Sequence, residues 1–429
     1  MEKKLQWGAF GPADILLPRG CSMQKWSVVA CDQYTSEPEY WDEVEKFVGD
    51  APSTLRLMFP EVYLDKEDPA ARIQEIHAAM RAYLDAGRFS RLKDSFVYLE
   101  RRLPSGAVRR GLVGAVDLEQ YDYSPGSASP IRPTEGTVVA RIKPRMQIRE
   151  GAPIELSHVM LLIDDPDGTV IEPIARHKGA LAPLYNFDLM QNGGHLSGWW
   201  LPADQAGAVR QALAALASPE AFAKKYGLPD RPVLAYASGD GNHSLATARA
   251  CYEHLKEKIG DAAKSHPARY AMVELVNIHD ESLIFEPIHR VLTGVDAAKL
   301  RHDFITAMAA DGGSLDSGDP ARRVRFLHEG GDVTAYLGGD VLPVGMVQDF
   351  LDGWMQENGG KIDYVHGDEV TARLGTQPGA ASFLLPALGK SALFASVARD
   401  GALPRKTFSM GDANEKRFYL ECRRITEDA

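Results

Sequence analysis

Pro232-Val-Leu-Ala-Tyr-Ala-Ser-Gly-Asp-Gly-Asn-His-Ser-Leu-Ala-Thr-Ala-Arg-Ala-Cys-Tyr-Glu-His-Leu255 joins an apolar strand to an amphipathic helix through Gly239-Asp240-Gly241-Asn242-His243. The two glycines let the backbone turn tightly and approach a ligand, and a helix starting here presents unpaired N–H groups and the positive end of its dipole. That is an anion site in outline. Asp240 and Asn242 suit a helix cap or a hydrated cation, and His243 suits a hydrogen bond to a phosphate oxygen. A capped turn without ligand has the same local pattern. The chain has neither a Gly-x-x-x-x-Gly-Lys-Ser/Thr phosphate loop nor a full dinucleotide fingerprint. Downstream, Leu245, Ala248, Tyr252, Leu255 and Ile259 keep helical spacing, and Ala271-Met-Val-Glu-Leu-Val-Asn-Ile reads as the next strand. Strand, glycine-rich loop, helix and strand make a βαβ-like unit and place the chain in the α/β (α+β) class.

Working outward, 429 residues with 45% hydrophobic content support more than one core, and length alone suggests about two or three domains. A net charge of −11 without a basic run argues against nucleic acid as a partner. Cys21, Cys31, Cys251 and Cys422 are dispersed and form no Cys-x-x-Cys pair, so free thiols and a reducing compartment are expected. No stretch reads as a signal peptide or a membrane span, and a cytoplasmic protein with no membrane partner is expected.

Before the central stretch, Trp26 to Ala30 reads as a buried strand with Cys31, Asp32, Gln33 and Tyr34 at its end, a position where α/β proteins often meet ligands. Ser53 to Pro60 reads as another strand, and Phe96 to Leu118 as a hairpin turning at Ser105-Gly106. The Ser-, Pro- and Gly-rich stretch Tyr121 to Pro133 suits a linker or an ordered site loop. Thr134-Glu135-Gly136-Thr137 follows, with Arg141, Lys143 and Arg145 close behind in sequence, a setting that keeps a carboxylate ionised. Ser157 to Ile174 reads as a second hairpin around Asp165-Pro-Asp-Gly168. His195, in the Gly- and Trp-rich stretch from Asn192, is a candidate ligand neighbour. Beyond Asp296, helix, hairpin and helix suggest a separate α+β lobe, and Lys406 in the tail is placed to reach an anion. The expected organisation is 1–125, an N-terminal α+β region; 126–295, a core; and 296–429, a C-terminal α+β lobe.

Ala30-Cys-Asp-Gln-Tyr34, Thr134-Glu-Gly-Thr137, Gly239-Asp-Gly-Asn-His-Ser244, Asn277-Ile-His-Asp280 and Pro287-Ile-His-Arg290, in that order, together resemble the SerK-like family of bacterial and archaeal proteins. Leu403-Pro-Arg-Lys-Thr407 resembles that family's Met-Pro-x-Lys-Ser-Thr. The resemblance implies a ParB/sulfiredoxin-like nucleotide-binding core, a nucleotide whose phosphates lie on Gly239 to Ser244, and Glu135 as base on the hydroxyl to be phosphorylated. The expected roles are catalytic for Glu135, Asp240 and His243; phosphate-binding for Gly239, Gly241, Asn242, Ser244, Arg145 and Arg290; and substrate-binding for Asp32, Tyr34 and His195. ATP or ADP with magnesium at Asp240 is the expected cofactor set, and a small molecule the partner. The chain departs from the family where Ala-Asp-Gly-His-His-Arg becomes Gly239-Asp-Gly-Asn-His-Ser244 and where His-Glu becomes Thr134-Glu135. One His and one Arg are therefore missing from the anion site. Three readings follow: an ATP-dependent small-molecule kinase with free L-serine as leading acceptor, a nucleotide-binding regulatory module without turnover, and a metal-dependent hydrolase using Asp240, His243, His279 and Asp280.

Overall fold

The computed structural model describes residues 7–64, 68–404 and 406–427. They form a mixed α+β structure whose contacts divide into two compact units. One unit runs to Leu283 and resumes at Asp412; the other spans Ile284–Gly411 and is an insertion in the first.

The first unit is built on β1 (Phe10–Gly11), β2 (Ala13–Pro18), β3 (Val28–Val29), β4 (Phe89–Arg102), β5 (Val108–Asp117), β6 (Ile131–Pro133), β7 (Ile154–Leu156), β8 (Met160–Ile163), β9 (Ala182–Asp188), β10 (His195–Pro202), β11 (Tyr236–Asp240) and β12 (Tyr270–Asn277). After the insertion it regains β19 (Phe418–Tyr419) and β20 (Cys422–Arg424). The main path of the large sheet is β6-β11-β8-β12-β5-β4-β2-β20-β7, with β1 on β5, β10 on β4 and β9 on β10, while β3 and β19 pair separately. The expected hairpin is present as β4–β5, paired from Val97↔Val113 to Arg102↔Val108.

Strand alternation fills two cores. In β4 and β5, Val97, Leu99, Val113 and Ala115 join one apolar cluster with the helices Pro38–Val48 and Pro69–Asp85, whereas Phe96, Tyr98, Leu112 and Val116 join the other. The second cluster takes in Leu245, Ala248 and Tyr252 of the helix Asn242–Ile259, the one predicted from spacing. Burying one face of that helix fixes the position of its start.

Several expectations are corrected. Ser53 to Pro60 is not a strand: Ser53 Oγ accepts from Leu55 N at 3.2 Å and Thr54 Oγ1 donates to Trp26 O at 2.8 Å, which stabilises a tight turn at Thr54–Arg56. Trp26 to Ala30 is a strand only at Val28–Val29, since Met23–Trp26 is a helical turn. The second arm expected between Ser157 and Ile174 is absent. Asp165 accepts from Thr169 N and Val170 N at 2.6 and 2.8 Å, turning the chain into the helix Glu172–His177. The βαβ expectation changes in sense, because β11 runs antiparallel to β8 and β12 parallel to it. No boundary falls at 125/126, as β5 pairs with β12 from Tyr270↔Asp117 to Leu275↔Leu112. The unit changes after Leu283 rather than after residue 295, and the tail returns to the first unit.

The second unit carries β13 (Phe285–Thr293), β14 (Arg323–His328), β15 (Gly331–Tyr336), β16 (Lys361–His366), β17 (Ala380–Leu384) and β18 (Phe408–Met410). They are ordered β15-β14-β17-β13-β16, with β18 on β13. Leu300, Phe304 and Met308 of one helix and Val347, Leu351 and Trp354 of another pack with Phe326 and Phe383 of the sheet.

Candidate functional site

Strand β11 delivers the chain to Gly241, whose φ of 71° and ψ of 25° lie in the left-handed region. A Cβ there would stand 2.9 Å from Val159 Cα, a backbone atom that has no rotamer by which to retreat. Glycine is required on both counts. The helix then begins at Asn242 without a side-chain cap, so the N–H groups of its first turn are left for a ligand or water. Asn242 Oδ1 and Thr137 Oγ1 are both buried without a hydrogen-bond partner.

The stretch Thr134 to Val138 lies against this helix start. Thr134 N and Oγ1 both donate to Ser238 O, at 3.1 and 2.9 Å, continuing the parallel pairing of β6 with β11. At the far end Val138 N donates to His243 Nε2 at 3.3 Å. Glu135, Gly136 and Thr137 are thereby held between two anchors. Because His243 Nε2 accepts, any proton this ring gives to a ligand leaves from Nδ1.

Lys416 and His158 flank the helix start, and neither is near it in sequence. Lys416 Nζ lies 3.3 Å from Asp240 Oδ2, while Asp240 Oδ1 accepts from Gly241 N at 2.9 Å. His158 Nε2 lies 3.3 Å from Ser244 Oγ and 3.6 Å from Asp32 Oδ2, and its Nδ1 lies 2.8 Å from Tyr419 Oη. Tyr419 Oη in turn donates to Cys31 Sγ at 3.2 Å. Burial opposes ionisation of Asp32, but the His158 charge beside it and the Gln33 amide hold the carboxyl below its ordinary range. Burial likewise disfavours the His158 cation, and Asp32 overrides it, raising the imidazole above its usual value. Burial pushes the Cys31 thiol up to about 12, and Tyr419 is raised well above an ordinary phenol. Both His158 nitrogens thus face oxygen partners, and burial favours the neutral forms of Tyr419 and Cys31.

The family model for a protein of unknown function, DUF1015, matches residues 16–360. The chain belongs to this family. No curated protein matches it. Among solved structures, this DUF1015 protein is similar to a conserved hypothetical protein from Pyrococcus furiosus, at 13% identity and a TM-score of 0.34 over 71% of this chain and 93% of that one. It is also similar to a free serine kinase variant in complex with AMP, at 11% identity and a TM-score of 0.37 over 73% and 91% of the two chains. A third, SbnI with a C-terminal truncation from Staphylococcus aureus, shares 10% identity at a TM-score of 0.35 over 70% and 83%. Likenesses this distant transfer no activity.

In this DUF1015 protein the fold gathers Glu135, Asp240, Gly241, Asn242, His243, Ser244 and Asp32, and adds His158, Lys416 and Tyr419, which no local sequence signal marks. Gly239 lies in β11 on the approach to Asp240. Other expected members are engaged elsewhere. Arg145 forms an ion pair with Glu61 and bonds Arg141 O. Arg290 belongs to the second unit, fully buried, donating to Gln348 Oε1, Ile288 O and Lys406 O and lying over the Tyr364 ring. Lys406 is in that unit too, and Arg405 of the same motif lies outside the described residues. His195 bonds Asp188 and Asn186 at 2.6 Å each, on the β9–β10 ladder. Tyr34, at a φ of 51°, stacks its ring on Tyr40 with centroids 3.7 Å apart.

The four residues of the hydrolase reading are not brought together. His279 Nε2 meets Asp164 Oδ1 at 2.6 Å just beyond the C-terminal end of β8, whereas Gly241 packs on Val159 at the other end of that strand. Asp280 accepts from Ser282 N and Oγ. Among the described residues no group of three or more His, Cys, Asp or Glu side chains is placed to hold a metal ion, and no helix is long and apolar enough to cross a membrane.

The Asp32–His158 pair gives stability a pH signature. His158, raised in the fold, stabilises fully below its unfolded value of about 6.5 and loses that contribution as pH rises through its folded value. Asp32, depressed, stabilises above about 3.9 and loses it as pH falls through its own folded value. The pair is therefore fully effective between about pH 4 and 6.5. Urea midpoints measured across pH should decline above that window in the parent and less steeply in His158→Gln; parallel profiles would refute the pairing.

Proposed function

We propose that this protein is an ATP-dependent phosphotransferase acting on the hydroxyl of a small molecule, with free L-serine the leading acceptor, and that its core is ParB/sulfiredoxin-like. One observation carries the reading: the uncapped helix start at Gly241 to Ser244, flanked by Lys416 and His158, faces a loop that holds Glu135. The N–H groups and dipole of the first turn suit phosphate oxygens, and Lys416 and His158 stand in for the His and Arg that the loop lacks relative to the SerK-like pattern. Gly239, Gly241, Asn242 and Ser244 bind phosphate in this scheme, and His243 donates from Nδ1.

The donor set fits magnesium. A hard cation bound with a nucleotide takes one or two protein oxygens and keeps several waters, and Asp240 with the unsatisfied Asn242 Oδ1 would supply those oxygens. When bound, the ion would neutralise charge on the phosphate oxygens. The chain's own part is positioning. Glu135 accepts the proton of the acceptor hydroxyl, whose oxygen forms the new bond to the terminal phosphorus as the bond to the ADP leaving group breaks. Lys416, and His158 when protonated, place positive charge beside the phosphates in this scheme, and Asp32 borders the acceptor side.

Incubation with ATP, magnesium and a pool of hydroxylated metabolites should yield a product heavier by one phosphoryl group. ATP or ADP at about a hundred times Kd should raise Tm by roughly 5 °C, and Asp240→Ala and His243→Ala should lose that rise. Equal stabilisation of both variants and the parent would move the phosphates elsewhere. Binding without any product would instead favour the regulatory module.

A further inference from the structure

A cavity of about 320 Å³ opens in the first unit among Asp14, Arg91, Lys264, Tyr270, Arg423 and Arg424, and it shares no residue with the site at Gly241. We propose that it is a second ligand site, for a small molecule carrying several anionic oxygens, a polyphosphate or a polycarboxylate.

Its construction begins with Arg423, which is 4% exposed. The guanidinium donates to Glu155 Oε1 at 2.6 Å, to Pro267 O at 3.0 Å and to Tyr270 O, locking β20 to the turn that enters β12. That fixes a rigid wall, and Leu16 and Tyr270 also line the cavity. The other cations come from three separate elements: Arg91 on β4, Arg424 on β20 and Lys264 in the turn Gly260–Ser265. Four cations and one carboxylate line the cavity, and with Arg423 neutralised by Glu155 it is Arg91, Lys264 and Arg424 that would meet an anion. Arg91 pairs with Asp14 at 2.7 Å and Lys264 with Asp261 at 2.8 Å, but their side chains are 40% and 58% exposed. Exposed pairs of this kind contribute little, so a multivalent anion held by both cations at once competes well with the single carboxylates. The volume lies at the lower end of the range for small-molecule pockets, enough for a tricarboxylate or a short phosphate chain and small for a peptide.

Calorimetric titration of the full chain with sodium tripolyphosphate in one arm and citrate in the other tests this. At least one probe should bind the parent, and which one binds tells phosphate from carboxylate chemistry. Asp240→Ala, which disables the other anion site, should retain that binding. Lys264→Glu and Arg424→Gln should each weaken it roughly ten- to a hundredfold. Lys264 stands on the surface, so its variant decides the matter even if Arg424→Gln unfolds. The proposal is overturned if neither probe binds, if Asp240→Ala abolishes binding, or if Lys264→Glu binds as the parent does. Because a phosphate site at Gly241 would also take tripolyphosphate, Lys264→Glu and Arg424→Gln are compared in the Asp240→Ala background, where the outcomes do not depend on whether the protein is a phosphotransferase.

Discussion

Glu135→Gln should lower phosphotransfer by ~100- to 10,000-fold while leaving nucleotide affinity within a few-fold of the parent. The substitution keeps the shape of the side chain and removes its charge. The loop cannot drift far, because Thr134 is held by two bonds to Ser238 O and Val138 by its bond to His243. The phosphates in this scheme rest on the helix start and on Lys416, not on Glu135, so binding and turnover separate. Asp240→Asn should not separate them: it weakens the Lys416 pairing and the proposed cation site together, reducing affinity as well as rate. Steady-state kinetics with a nucleotide-binding assay on both variants distinguishes the two roles. Full activity in Glu135→Gln would remove Glu135 as the base.

The second large effect is on stability. Arg101 is 2% exposed and sends its donors to the carbonyls of Gly193 at 2.8 Å, Asn414 at 2.6 Å, Glu415 at 3.2 Å and Lys416, with Phe418 stacked against the guanidinium at 4.9 Å. Burial first, and the Arg109 guanidinium second, disfavour the Arg101 charge. A buried ion pair replaced by apolar residues is often tolerated, but here the partners are backbone oxygens that stay behind without donors. Arg101→Met should therefore cost about 3–5 kcal/mol in denaturant unfolding. It should also weaken nucleotide binding in the molecules that remain folded, since the segment it clamps carries Lys416 to Asp240. A loss below about 1 kcal/mol would mean that water or a neighbouring cation satisfies those carbonyls.

The extent of what could be read from the chain follows from how local each signal is. The helix Asn242–Ile259, the β4–β5 hairpin and the glycine at 241 were legible because periodicity and turn chemistry are properties of neighbours in sequence. The convergence of Thr134–Val138 on the same helix start was legible only through the family resemblance. Lys416 and His158 left no local trace: each is an ordinary residue whose role comes from strand pairing across long separations, Lys416 just before the β3–β19 pair and His158 two residues before β8. Ser53 to Pro60 misled because apolar residues in a short run suit a strand or a buried turn equally, and the side chains of Ser53 and Thr54 chose the turn. The cations at 141 to 145 misled because charge near in sequence need not be near in space, and Arg145 reaches Glu61 instead.

The insertion of Ile284–Gly411 within the first unit has a consequence for biosynthesis. Strands β2 and β3, which leave the ribosome well before the insertion, find partners in β20 and β19, and Trp26 Nε1 donates to Leu420 O. At ~5–20 residues per second the intervening unit imposes a wait on the order of ten seconds, during which the helix start at Asn242 exists without Lys416 or Tyr419. A nascent chain is thus kept without the completed charge arrangement until Lys416 and Tyr419 emerge. A message broken between Leu283 and Lys416 yields a product that has the helix Asn242–Ile259 but lacks Lys416 and Tyr419 beside its start.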